Sequence, residues 1–275
     1  MRHYEAGEGP PLVLIHGLMT SAYSWRYVID ALGAHFRLWI PDLPGAGKSG
    51  MPDVSYRADA MADTIARWME ASGLRGAPVI GNSLGGYLSM KLALRHPGIM
   101  SRLVNLHSPG IPIPRLHALR VALKLPFSAA VLDKLVARDP LKWVHRNVHY
   151  YDESLKSLEE ARVWAEPLQT SSGRRAFWHW LADTMRPDDL AAFVAELQQR
   201  RAAGTDFPVP LQLIYARQDP MVPPIVGERL GALLPSASFH WIEKGSHFAH
   251  VDAPEAFLAI ALPFLLQDAE ATPSA

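Results

Sequence analysis

The chain has no cysteine, which removes disulfides, thiolate metal sites and a cysteine nucleophile together. It has no excess of charge either. Lys plus Arg and Asp plus Glu stand at 27 each, for a net charge of zero, so no whole-molecule field draws it to nucleic acid or anionic lipid. No apolar run reaches the roughly 18 residues that cross a bilayer. Arg2, His3, Glu5 and Glu8 follow Met1 where a secretory leader would be apolar. These absences point to a soluble, cytoplasmic protein, without stable membrane insertion, whose partner is a small molecule. Nothing in the composition sets an oligomeric state.

What is present reads as an α/β chain. Leu12 to Ile15, Phe36 to Ile40, Val79-Ile80 and Leu103 to Leu106 are apolar runs of strand length bounded by Gly, Pro or Asn. Between them Tyr56 to Ala71 and Leu84 to Leu94 carry apolar residues at helical spacing. Alternation of this kind predicts a mostly parallel sheet flanked by helices. From Ile111 to Gly204 no strand run occurs and the periodicity is helical throughout, punctuated by Pro126, Pro140, Pro167 and Pro187. The expected organisation is therefore a core of residues 1–110 and 205–275 with a helical cap, 111–204, inserted in it. Leu211 to Tyr215 and Ser238 to Ile242 resume the sheet, Pro254 starts a last amphipathic helix, and a frayed tail is expected after Gln267.

Gly81-Asn82-Ser83-Leu84-Gly85 fits G-x-S-x-G between a strand and a helix. Small residues two positions either side of the serine let strand and helix close on a strained turn, and the helix directs its positive end at an oxyanion forming there. A serine hydroxyl needs a base, and the base an orienting acid. Asp219, after the strand Leu211 to Tyr215, and His247, after the next strand, follow in the order Ser, acid, His. Ser83, Asp219 and His247 are the candidate catalytic residues. The oxyanion hole is assigned to the backbone N–H groups of Leu84 and of Leu18 in the His16-Gly17-Leu18-Met19 loop, with Met19 as the alternative to Leu18. His16 reads as a loop brace. Met19, Tyr23, Trp25, Trp178 and Phe248 are candidates for an apolar pocket wall.

With these residues, Pro41-Asp42-Leu43-Pro44-Gly45-Ala46-Gly47-Lys48-Ser49 completes a pattern that resembles the capped α/β-hydrolase superfamily over residues 4 to 266, apart from the insertion. The resemblance implies the α/β-hydrolase fold, with an eight-stranded type of sheet and a helical cap over the site. Few residues precede Leu12, so the family's first antiparallel edge strand is expected to be shortened or missing. Relatives that open epoxides or displace halide carry Asp at the elbow, and Ser83 instead implies acyl chemistry. The expectation is a hydrolase of carboxylic esters of small, largely apolar compounds, with no cofactor and no metal. Carbon–carbon bond hydrolases of ring-cleavage products, which share G-N-S-x-G-G and a stretch like Arg217 to Pro223, are the alternative. They usually show a glycine-rich loop after the first strand and Trp after the histidine, where this chain has Phe248. Cofactor-free perhydrolases share the triad, and some members of the superfamily bind ligands without turnover.

Two further motifs are incomplete. Gly45 to Ser49 ends like a phosphate loop, but Asp42 stands where that motif needs its first glycine. The segment reads instead as a turn in which Asp42 orders its neighbours. His145 and His149 have the spacing of a zinc peptidase helix, but Arg146 replaces the required Glu and no third ligand is evident.

Overall fold

The computed structural model describes residues 1–267; the expected tail lies outside them. Seven strands, β1 (His3–Ala6), β2 (Pro11–Ile15), β3 (Arg37–Pro41), β4 (Val79–Asn82), β5 (Leu103–Leu106), β6 (Leu211–Ala216) and β7 (Ser238–Ile242), form one sheet in the order β1-β3-β2-β4-β5-β6-β7. All neighbours are parallel except β1, which pairs antiparallel with β3 from His3 opposite Pro41 to Ala6 opposite Leu38. An antiparallel edge strand of four residues is thus present, and the sheet has seven strands among the described residues, one fewer than the resemblance implied. Its sequence, His-Tyr-Glu-Ala, is half exposed and polar, so hydropathy alone does not reveal it. Gly7 (φ 74°) and Gly9 (φ 119°) turn the chain from β1 into β2, using a backbone region that side chains disfavour.

Parallel strands covered on both faces read as continuous apolar runs, and β2, β4, β5 and β6 are buried almost throughout. Helices α1 (Ile29–Gly33), α2 (Ala58–Ala71) and α3 (Leu84–Arg95) follow in chain order. Between β5 and β6 the chain is helical: α4 (Pro114–Lys124), α5 (Ser128–Arg138), α6 (Pro140–Asn147), α7 (Leu158–Ala165), α8 (Ser171–His179) and α9 (Pro187–Ala202). Helices α10 (Pro224–Leu233), α11 (Ala249–Asp252) and α12 (Pro254–Leu266) complete the chain. One core cluster packs α2, α3 and α10 against one sheet face, with Met61, Ile65, Leu88 and Leu230 fully buried or nearly so. A second gathers α1 and α12 on the other through Leu32, Phe257 and Ala261. A third, built on Val144, Trp164 and Phe177, lies within the inserted helices and reaches Phe248 and Val251 of the core.

The insertion is tied down by specific bonds. The Trp180 Nε1–H donates to the Pro44 carbonyl at 3.0 Å, and Thr184 Oγ donates to the Tyr56 carbonyl at 2.5 Å. Both residues sit in a π-helical turn, Trp180–Thr184, that continues α8. Arg26 pairs with the buried Glu160, which also accepts from the Tyr150 hydroxyl at 2.5 Å. Among the described residues no helix is long and apolar enough to cross a membrane.

Candidate active site

Ser83 sits between β4 and α3 with φ 53° and ψ −120°, a strained backbone for a residue with a side chain. The neighbouring glycines make the turn possible. A Cβ on Gly81 would stand 2.7 Å from the Gly85 carbonyl oxygen, and one on Gly85 would stand 2.5 Å from that of His16. The Ser83 N–H donates to the Leu106 carbonyl of β5 at 2.7 Å, which anchors the turn to the sheet.

The structure brings the three candidate residues together, although 136 positions separate Ser83 from Asp219 in the chain. Ser83 Oγ donates to His247 Nε2 at 2.7 Å, and His247 Nδ1–H donates to Asp219 Oδ2 at 2.8 Å. Asp219 Oδ1 accepts from the N–H groups of Met221 and Val222 at 2.7 and 2.8 Å. All three side chains are buried. Burial alone would raise the Asp219 pKa, but the attraction and hydrogen bond of His247, with His107 and the Val222 N–H, hold it below the ordinary carboxylate value. The arrangement is a hydroxyl with an acceptor for its proton, and behind that acceptor a fixed negative charge.

The loop after β2 is braced by His16. Its Nδ1–H donates to the Gly17 carbonyl at 2.8 Å, and its Nε2 accepts from the Leu43 N–H at 2.9 Å. Burial lowers its pKa, against the pull of Asp42. Gly17 lies against Ser83, since a Cβ there would meet the Ser83 Cβ at 3.1 Å. Leu18, the next residue, lines the same cavity as Ser83, and Leu84 is the first residue of α3, whose N–H has no partner within the helix. Asp42, buried, accepts from the N–H groups of Ala22 and Lys48 at 2.8 Å each, so one carboxylate holds two loops.

Above Ser83 opens a cavity of about 330 Å³, walled by core residues (Leu18, Met19, Met221, Phe248) and by the inserted helices (Leu116, Leu119, Leu123, Leu132, Phe177, Met185). Met19 and Phe248 stand in its wall; the other three pocket candidates do not. Trp25 is completely buried in the core, its ring 4.5 Å from that of His250. Tyr23 lies at the seam with the insertion, its hydroxyl donating to Glu159 at 2.9 Å. Trp178 lines a separate groove between α5 and α8. Successive helical residues diverge by about 100°, so Phe177 faces the cavity and Trp178 turns away. The leucines of α4 were missed, although their 116, 119, 123 spacing is a one-face helical signal. His145 lies in α6 but His149 lies beyond its end, so the pair does not share a helical turn.

His107, at the end of β5, is a further buried residue beside the site. Its Nδ1 accepts from the Ala216 N–H at 3.1 Å and lies 3.7 Å from Asp219 Oδ2. Burial outweighs the attraction of Asp219 and pushes its pKa down to about 3. It is neutral at physiological pH.

Known proteins resemble the chain along its whole length. A 2-hydroxy-6-oxo-6-(2'-aminophenyl)hexa-2,4-dienoic acid hydrolase of Metapseudomonas resinovorans is 25% identical over all of this chain and 90% of its own. A pimeloyl-[acyl-carrier protein] methyl ester esterase of Aeromonas hydrophila is 28% identical over 94% of this chain and 96% of its own. Among solved structures, a meta-cleavage product hydrolase of Pseudomonas fluorescens superposes with a TM-score of 0.73 at 26% identity, covering 98% of this chain and 94% of that one. Since the family model of the alpha/beta hydrolase fold matches residues 10–254, the chain belongs to that family and is a hydrolase.

Proposed function

We propose that this hydrolase cleaves carboxylic esters of small, largely apolar compounds through an acyl-enzyme on Ser83. The observation that carries the reading is the continuous hydrogen-bonded line from Ser83 Oγ through His247 to Asp219 at the floor of an apolar cavity. Ser83 Oγ attacks the ester carbonyl as His247 Nε2 takes its proton, and Asp219 stabilises the imidazolium. The N–H groups of Leu84 and Leu18 receive the oxyanion. His247 returns the proton to the departing alkoxide, and water, deprotonated by the same imidazole, releases the acid. Residues 111–204 serve as a cap whose leucines exclude water and hold the acyl chain.

The relatives named for dienoate ring-cleavage products support a second reading, carbon–carbon bond hydrolysis. Such substrates are carboxylates, and burying one requires a counter-charge. Among the described residues, Arg115 is the only Lys or Arg lining the cavity. It is exposed, and its guanidinium is committed to the carbonyls of Pro220, at 3.0 Å, and Met221. That favours a neutral ester.

A panel of p-nitrophenyl esters of increasing acyl length, with a dienoate ring-fission product alongside, tests the reading. Esters are expected to turn over, and Ser83→Ala to lower kcat by about four orders of magnitude or more. Faster turnover of the dienoate than of any ester would transfer the assignment to the second reading.

A further inference from the structure

Twelve large apolar side chains are exposed among the described residues, and five of them, Val121, Leu125, Phe127, Val131 and Leu135, fall on the hairpin formed by α4 and α5. Each of these helices has eleven residues and only one buried side chain, Leu116 in α4 and Val136 in α5. Their inner faces supply Leu119, Leu123 and Leu132 to the cavity wall. The hairpin is thus apolar on both sides, a pattern that in water belongs to a helix covered on both sides. At its tip the three-residue turn Leu125-Pro126-Phe127 presents Phe127, which is 82% exposed on a left-handed backbone of φ 63°. A bulky residue rarely adopts that conformation, and such strain is characteristic of functional segments.

Charge decides what would cover this surface. From Pro114 to Arg138 the hairpin carries Arg115, Arg120, Lys124, Lys134 and Arg138 against the single acid Asp133, in a chain whose net charge is zero. Asp133 is itself paired with Arg174 at 2.6 Å. Lys124, Lys134 and Arg138 are exposed and, among the described residues, in no ion pair. An exposed apolar tip with Lys124 beside it and Lys134 and Arg138 farther along α5 complements an anionic lipid surface. A second copy of the same hairpin would bring like charges together instead.

We propose that the α4–α5 hairpin docks the enzyme reversibly on anionic phospholipid bilayers. Phe127 and Leu125 enter the headgroup boundary, and Lys124, Lys134 and Arg138 face the lipid phosphates. Because the inner faces of the same helices wall the cavity, docking places the cavity beside a phase in which apolar esters dissolve. The docking surface stands independently of the reaction assigned to Ser83.

Co-flotation of the full chain with phosphatidylcholine vesicles, and with vesicles containing phosphatidylglycerol, at low and high salt, tests this. Binding is expected only to the anionic vesicles and to weaken with salt. Lys124→Glu with Lys134→Glu should cut partitioning at least tenfold, since each cation near such a surface contributes roughly fivefold. Leu125→Ser with Phe127→Ser should do the same at either salt concentration. Hydrolysis of a short soluble ester should be unchanged in both, showing that fold and site are intact. Absence of flotation by the native chain, or flotation equal in the variants, overturns the proposal. So does sedimentation equilibrium showing a dimer that Leu125→Ser with Phe127→Ser dissociates, because a second copy then covers the face. Failure of the ester assay with flotation retained would refute the Ser83 reading alone.

Discussion

Gly85 has no room for a methyl group: a Cβ would stand 2.5 Å from the His16 carbonyl oxygen and 2.8 Å from the Ile15 carbonyl carbon. Backbone atoms cannot step aside as side-chain ends can, so Gly85→Ala should destabilise the protein by about 3 kcal/mol or more. Urea unfolding measures it, and a change under 1 kcal/mol would mean that the turn can open to admit the methyl group. His107 gives a pH prediction of definite sign. Its pKa is about 3 in the folded protein against 6.5 ordinarily, so between those values the unfolded chain takes a proton that the folded chain refuses. Stability therefore falls as pH drops below 6.5, by up to about 1.4 kcal/mol per pH unit from this residue. Burial lowers His16 and His250 in the same direction. His107→Asn keeps an acceptor for the Ala216 N–H and suits the left-handed backbone at φ 51°. The pH dependence of unfolding should flatten in that variant, and an unchanged slope would remove His107 from the explanation. The residues of the serine line were readable from type, order and position alone, because chemistry restricts what can stand there. Trp25 and Trp178 were not, because apolar character tells that a ring is covered but not by what.

At the level of elements, the central strands were legible because burial on both faces makes them continuous apolar runs, whereas the edge strand β1 pairs on one side only and keeps a polar composition. The long helical stretch after β5 was equally plain. How its helices attach was not, since Trp180 and Thr184 bond to the carbonyls of Pro44 and Tyr56, and carbonyls have no sequence signature. Trp180→Phe leaves the Pro44 carbonyl unpaired beside a side chain only 4% exposed. A cost of about 1–3 kcal/mol is expected, read as a fall in Tm of some degrees. KM for a hydrophobic ester should rise more than kcat falls, because the helical wall of the cavity loosens while the serine line is untouched. A melting point and KM equal to those of the parent chain would deny this bond its role in holding the helices between β5 and β6.

For the whole molecule, the sheet side supplies one wall of the cavity and the helices between β5 and β6 the other, so the proposed function assigns the reaction to the first and the choice of substrate to the second. Asp219→Asn alters only the first: the carboxamide cannot stabilise an imidazolium, and kcat should fall by about four orders of magnitude in a folded protein. Leu123→Trp alters only the second. It fills the cavity farther along α4, so long-chain esters should lose kcat/KM at least tenfold relative to the acetate, about 1.4 kcal/mol of binding to the acyl chain. Ser83 is the group that the proposed mechanism acylates. Incubation with a p-nitrophenyl alkylphosphonate, followed by peptide mass mapping, reads that residue itself. One adduct on the peptide containing Ser83, absent from Ser83→Ala and accompanied by loss of ester hydrolysis, is the predicted result. An adduct on another residue, or full activity persisting in the labelled enzyme, would contradict it.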